Sequence, residues 1–131
     1  MKYGLLGEKL GHSFSKEIHE SLEQYEYELI EVSKDSFDEF MKKKEFTGIN
    51  VTIPYKELVI PYLSYIDEKA QQIGVVNTIV NKDGCLYGYN TDYYGLRDLI
   101  LKNEINVKDK KVLIPISFNL FCCTTAFSFL A

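Results

Sequence analysis

The sequence has 131 residues, a hydrophobic fraction of 46% and a charged fraction of 26%. That is enough chain for one domain with a core of its own, and too many charges for a membrane bundle. A net charge of -4 gives no bulk attraction for nucleic acid or acidic lipid, so an anionic ligand would be held by local, directed donors.

The cysteines are Cys85, Cys122 and Cys123. An odd count with two adjacent members offers neither a disulfide framework nor a Cys-x-x-Cys metal site, and a reducing, cytosolic setting is expected. The apolar run within Met1 to Gly7 is too short for a signal-peptide core and stops at Glu8 and Lys9. Charge is unevenly spread. Every charged residue falls between Met1 and Lys111, and none between Val112 and Ala131.

In chain order, Lys2 to Leu6 reads as a strand entering a turn at Gly7. Ser15 is placed to cap a helix through about Gln24, on which Ile18, Leu22 and Tyr25 recur at helical spacing. Tyr27 to Val32 alternates as a strand does. Ser36-Phe37-Asp38-Glu39 fits a capping box, and Phe37, Phe40 and Met41 mark the buried stripe of the helix it opens. Gly48 to Ile53 is a strand stopped by Pro54, and a helical stretch, broken near Pro61, runs to about Gln72.

Val75 to Val80 and Cys85 to Tyr89 are strands joined through Asn81-Lys82-Asp83-Gly84, a hairpin signal. Asp92 to about Lys102 is a helix with Leu96, Leu99 and Ile100 facing inward, and Lys111 to Ile114 opens one more strand. This alternation predicts an α/β fold with a mostly parallel sheet. No internal repeat is present.

Four segments place polar residues where loops meet strand ends, the region in which α/β sheets collect ligands. In Gly11-His12-Ser13-Phe14-Ser15, two hydroxyls stand at a helix start where backbone N–H groups also point outward, a donor set suited to a carboxylate. The plainer reading is a helix cap and a surface serine. In Asn50-Val51-Thr52-Ile53-Pro54-Tyr55-Lys56, a lysine beside apolar residues can exchange protons with a ligand, though a lysine after a proline is commonly just solvated. Gly74-Val75-Val76-Asn77-Thr78 offers Asn77 as donor and acceptor to a hydroxyl, or as a turn residue. Gly88-Tyr89-Asn90-Thr91-Asp92 offers Asp92 to orient a hydroxyl, or as a helix N-cap.

Together these segments resemble the N-terminal, substrate-binding domain of the shikimate dehydrogenases from Met1 to about Ile114. The shared pattern is a Ser-x-Ser pair, Asn-Val-Thr-x-Pro-x-Lys, Val-Asn-Thr and Asn-Thr-Asp, in that order. The resemblance implies a three-layer αβα sandwich. It implies that Ser13 and Ser15 hold the shikimate carboxylate, and that Thr52, Asn77 and Asp92 bind the ring and its hydroxyls. Lys56 would be the proton donor and acceptor, with Asp92 beside it. Glu68 falls where family members carry an acidic residue near the cofactor, and Asn50 is expected to brace the strand end. The implied reaction is NADP-dependent reduction of 3-dehydroshikimate to shikimate, on the route to chorismate and aromatic amino acids. Its partner is a small molecule, with neither nucleic acid nor membrane expected.

Three departures stand out. Lys16 replaces the usual proline after the second serine, and Tyr93 replaces the usual glycine after Asn-Thr-Asp. After Ile114 the family continues into a glycine-rich loop around the cofactor pyrophosphate, whereas no glycine follows Gly95 here. The expectation is a substrate-binding domain over residues 1–110 and an aberrant uncharged tail over 111–131, as out-of-frame translation would produce. Good NADP binding and activity by this chain alone are not expected. A stand-alone shikimate- or quinate-binding pseudoenzyme and a membrane-tethered binding module are the alternatives.

Overall fold

The computed structural model describes residues 2–11 and 13–106. The chain forms two compact units, Met1–Asn90 and Thr91–Ala131. In the first unit the order is β1 (Tyr3–Gly7), α1 (Ser15–Leu22), β2 (Tyr27–Glu31), α2 (Lys34–Lys43), β3 (Gly48–Val51), a 3₁₀ turn (Ile60–Tyr62), β4 (Tyr65–Ile66), α3 (Glu68–Ile73), β5 (Thr78–Lys82) and β6 (Cys85–Tyr89). The six strands form one sheet in the order β2-β1-β3-β5-β6-β4. The β1/β2, β1/β3 and β4/β6 pairings are parallel, and β3/β5 and β5/β6 are antiparallel. The sheet is therefore mixed, with parallel pairings in the majority.

Alternation along the strands sorts the apolar residues into two cores. Leu6, Ile49, Val51, Ile79 and Leu86 point to one face, where Phe37 and Met41 of α2 and Ala70 of α3 cover them. Leu5 and Tyr27 point to the other, with Leu10 beside them, and α1 lies on that side through the stack of His19 on Tyr27. This is the expected three-layer arrangement. Leu6 and Met41 are fully buried, each stabilising the fold by about 1.5–3 kcal/mol.

Several boundaries differ from the sequence reading, each for a local reason. Ser15 is the first residue of α1 rather than its cap; Phe14 holds the cap position and makes no side-chain cap bond. The helix stops at Leu22 and buries none of its residues, with Ile18 and Leu22 exposed. The expected capping box at Ser36 does not open the helix; Ser33 caps α2, one turn earlier, and its hydroxyl accepts the Ser36 N–H. Phe37 and Met41 are buried as the stripe predicts.

The stretch around Pro61 is not one interrupted helix. A 3₁₀ turn and the two-residue β4 precede α3, whose cap is Asp67. The β5–β6 hairpin closes through Asp83 and Gly84 at φ 52° and 84°, the pair of positive values that a two-residue turn matched to strand twist requires. Asn81 holds it there, its side-chain oxygen accepting the Gly84 N–H at 2.9 Å.

In the second unit, α4 spans Thr91–Lys102. Tyr93 is its buried residue, whereas Leu99 is exposed, against the inward-facing expectation. The expected strand at Lys111 to Ile114, the tail and its cysteines lie outside the described residues.

Candidate functional site

Sheet topology brings the ends of four strands to one edge. β1 and β3 run parallel and finish at Gly7 and Val51. β5 runs opposite to β3, so the Asn50–Thr78 pairing sets the start of β5 beside the end of β3. β6 runs back against β5 and ends there too, with Tyr89 opposite Thr78. The loops carrying Ser13 and Ser15, Thr52 and Lys56, and Asn77 therefore leave the sheet on the same side.

Ser13 and Ser15 form a local pair. The Ser13 hydroxyl donates to the Ser15 oxygen at 3.1 Å and accepts the Ser15 N–H at 3.2 Å. Phe14, between them, is 75% exposed and directed away from the core. The loop is fixed upstream by Leu10, whose buried side chain sits in the second core while its N–H donates to Glu31 Oε1 at 2.7 Å.

Gly7 permits this loop to approach Thr52. A Cβ at Gly7 would lie 2.5 Å from Leu10 Cδ2 and 2.9 Å from Thr52 Cγ2, so both side chains occupy the space its missing side chain leaves. Thr52 is further held by its N–H, which donates to the Leu6 carbonyl at 2.9 Å.

Tyr55 anchors the loop of Lys56. It is fully buried, stacks on Phe37 with centroids 4.4 Å apart, and donates its hydroxyl to the Val32 carbonyl. Burial, with a smaller effect from Glu8, raises the Tyr55 phenol above its ordinary value, so it stays a neutral donor. Lys56 follows, half-buried, and its carbonyl accepts the Val76 N–H at 3.0 Å. That bond ties the lysine loop to the segment leading into Asn77.

Asn77 is 7% exposed. Its N–H donates to the Tyr89 carbonyl at 3.0 Å and its carbonyl accepts the Val51 N–H at 2.8 Å, so its backbone bridges β3 and β6. Its side-chain oxygen accepts the Thr78 hydroxyl proton at 3.0 Å. Asp92 lies in the second unit, half-buried in the first turn of α4. It is inside the helix rather than at the cap, and a carboxylate there is favoured by the helix dipole.

The profile of the shikimate dehydrogenase substrate binding domain matches residues 5–79. This chain belongs to that family. It is 45% identical over 120 residues to the shikimate dehydrogenase (NADP(+)) of Clostridium beijerinckii, covering 86% of this chain and 44% of the relative. The crystal structure of shikimate dehydrogenase 1 from Peptoclostridium difficile superposes with a TM-score of 0.74 at 40% identity, over 82% of this chain and 43% of that one. The shikimate dehydrogenase of Thermus thermophilus, solved in complex with shikimate, gives 0.73 at 31% identity, over 84% and 45%. The chain thus spans less than half the length of the shikimate dehydrogenases it matches.

Within the family's substrate-binding domain, two side chains near the site, Asn90 and Tyr27, had no role in the sequence reading, whereas Asn50 was expected to brace the strand end. Asn90 is fully buried and donates to the Val75 carbonyl at 3.0 Å, bracing the segment before Asn77. Tyr27 donates to Asn50 Oδ1 at 2.7 Å, and Asn50 donates to Thr78 at 3.2 Å. Period-two alternation would have put Tyr27 and Asn50 on one face, but not their lateral adjacency, which depends on the strand order. Glu68 is exposed at the start of α3, where it accepts from Gln72 at 3.1 Å. Among the described residues no helix is long and apolar enough to cross a membrane; the membrane-tethered reading rested on residues outside them.

Proposed function

We propose that this chain supplies the substrate-binding half of a shikimate dehydrogenase, holding shikimate or 3-dehydroshikimate at the edge where β1, β3 and β6 end and β5 begins. The observation that carries the reading is the Ser13–Ser15 hydroxyl pair, on the same sheet edge as half-buried Thr52 and Lys56 and buried Asn77. A small polyol acid needs donors for its carboxylate and mixed donors and acceptors for its hydroxyls. Hydroxyls, an amide and one ammonium meet both needs, whereas an apolar pocket would not discriminate among such rings.

The roles follow from the chemistry of each group. Ser13 and Ser15 donate to the carboxylate. Thr52 and Asn77 bond the ring hydroxyls. Asp92 is assigned to a ring hydroxyl from its place in Asn90-Thr91-Asp92 alone. Lys56 gives its proton to the oxygen of the ketone as that oxygen gains charge, and takes it back in the reverse direction.

The relatives' names carry NADP(+), a nucleotide that accepts hydride and, once reduced, supplies it. The sequence contains no Gly-x-Gly pair, so its own residues do not build the glycine-rich pyrophosphate cradle. Glu68, exposed at the start of α3 and accepting from Gln72, is the acidic residue that the resemblance sets near the cofactor. This half therefore binds, orients and exchanges a proton. Isothermal titration of the folded chain with shikimate, beside Lys56→Met and Ser13→Ala variants, tests the assignment. Heat from the parent chain that Ser13→Ala diminishes supports it; equal heats from all three chains contradict it.

A further inference from the structure

One buried titratable group has no part in the chemistry above. Tyr27, at the start of β2, is 3% exposed, and burial, with a smaller effect from Tyr25, pushes its phenol well above the ordinary range. It is a fixed neutral donor at any ordinary pH. The ring is clamped by His19, stacked on it with centroids 4.0 Å apart and planes 6° from parallel. His19 is itself bonded to the Tyr25 hydroxyl through Nδ1.

From Tyr27 a single line of hydrogen bonds crosses the sheet on the α1 side. The phenol donates to Asn50 Oδ1 at 2.7 Å, Asn50 Nδ2 donates to Thr78 Oγ1 at 3.2 Å, and the Thr78 hydroxyl donates to Asn77 Oδ1 at 3.0 Å. Strand register explains the line. Leu5 pairs with Leu29 and Asn50, and Asn50 with Thr78, so these positions share one face across β2, β1, β3 and β5.

We propose that Tyr27 is a positioning residue, setting which way the Asn77 amide faces. This inference rests on Asn77 contacting the substrate. An asparagine amide reads differently in its two orientations, and its neighbours alone decide between them. The phenol proton makes Asn50 present its oxygen to Tyr27 and its nitrogen to Thr78. Thr78, having accepted, turns its own proton to Asn77 Oδ1. The Asn77 nitrogen is thereby directed away from Thr78, as a donor to a substrate oxygen. Every bond in the line has the same polarity, so reversing one link weakens the next.

Two variants test this in the full chain. Tyr27→Phe keeps the ring stacked on His19 and removes the proton that starts the line. Asn50→Asp keeps an acceptor for Tyr27 but cannot donate to Thr78, so the Thr78 proton turns to the new carboxylate and the bond from Thr78 to the Asn77 oxygen is lost. The readout is the side-chain amide signals of Asn77 in the unliganded protein, assigned by heteronuclear NMR, followed by shikimate titration of each folded variant. Both variants should shift those signals and weaken shikimate binding by roughly three- to tenfold. Unchanged Asn77 amide signals in both variants would overturn the inference, whatever the affinity. If the parent chain binds no shikimate, the substrate reading fails instead, and the amide signals still decide the orientation.

Discussion

The Ser13 hydroxyl lies 3.1 Å from the Ser15 hydroxyl and also accepts the Ser15 N–H. With the Ser13 proton on the Ser15 oxygen, the Ser15 proton is directed to another acceptor, and reversing the pair directs the Ser13 proton there. Either way one O–H faces outward in the unliganded pair, and the second becomes available when an anion takes the place of the bond between them.

Ser15→Ala should therefore weaken shikimate binding by roughly fivefold, the loss of about 1 kcal/mol for a hydrogen bond that competes with water. Ser15 makes no side-chain cap bond to α1, where Phe14 holds the cap position, so the thermal midpoint should move by less than about 4 °C. Calorimetry and a melting curve on the same sample check both. A large drop in melting temperature would mean that the serine pair serves the fold.

Gly7→Ala should disturb two loops with one methyl group. The new Cβ meets Leu10 Cδ2 and Thr52 Cγ2 well inside contact distance. Overpacking of this kind costs about 1–3 kcal/mol. Because the displaced side chains belong to the loops of Ser13 and Thr52, shikimate affinity should fall together with the urea midpoint. Unfolding curves and titrations that leave affinity untouched at lowered stability would separate the loops from the site.

Much of this arrangement could be read directly from residue order. Leu5 and Leu6 announce opposite faces, Asp83-Gly84 announces the hairpin, and Phe37 and Met41 announce the buried stripe of α2. Two of the polar motifs end strands, Thr52 following β3 and Asn90 following β6, whereas Asn77 precedes β5 and the Ser13–Ser15 pair follows β1 at the start of α1. Ser33 caps α2 although Ser36-Phe37-Asp38-Glu39 is the better local capping pattern; the strand-to-helix path, which is tertiary, decides between them. Ile18 and Leu22 have helical spacing yet stay exposed, since α1 packs through its aromatic contact to β2 rather than an apolar stripe. The line from Tyr27 to Asn77 joins residues 50 positions apart through side-by-side strands, and no local pattern encodes which strands are neighbours.

Acid should act on α2. Asp38 accepts from Lys42 at 2.7 Å and from Tyr62 at 2.8 Å, and these two bonds, Lys42 first, hold its carboxyl below the usual value. A carboxylate with a lowered folded pKa stabilises the fold above its unfolded pKa, and that contribution disappears as pH falls through the folded one. The melting temperature should thus fall more steeply from about pH 4 downward in the parent than in Asp38→Asn. Parallel slopes for the two chains would show that Asp38 contributes nothing to acid sensitivity.

The 131-residue polypeptide by itself should not reduce NADP+ with shikimate above background. It lacks a Gly-x-Gly cradle and spans 44% of the shikimate dehydrogenase of Clostridium beijerinckii. Hydride transfer depends on holding nicotinamide and substrate near contact, and positioning supplies a large part of the rate. Absorbance of NADPH at saturating shikimate and NADP+ is the assay. Turnover that disappears in Lys56→Ala would place a working cofactor site on this chain.

Shikimate binding by the folded chain is decisive. The folded chain, titrated with shikimate and followed by amide chemical shifts, should bind with a dissociation constant on the order of millimolar, about 4 kcal/mol. The largest shifts should fall at Ser13, Ser15, Thr52 and Asn77, and Ser15→Ala should reduce them. A folded sample with no shifts at high millimolar shikimate, or with shifts only at residues away from the ends of β1, β3 and β5, would contradict the account.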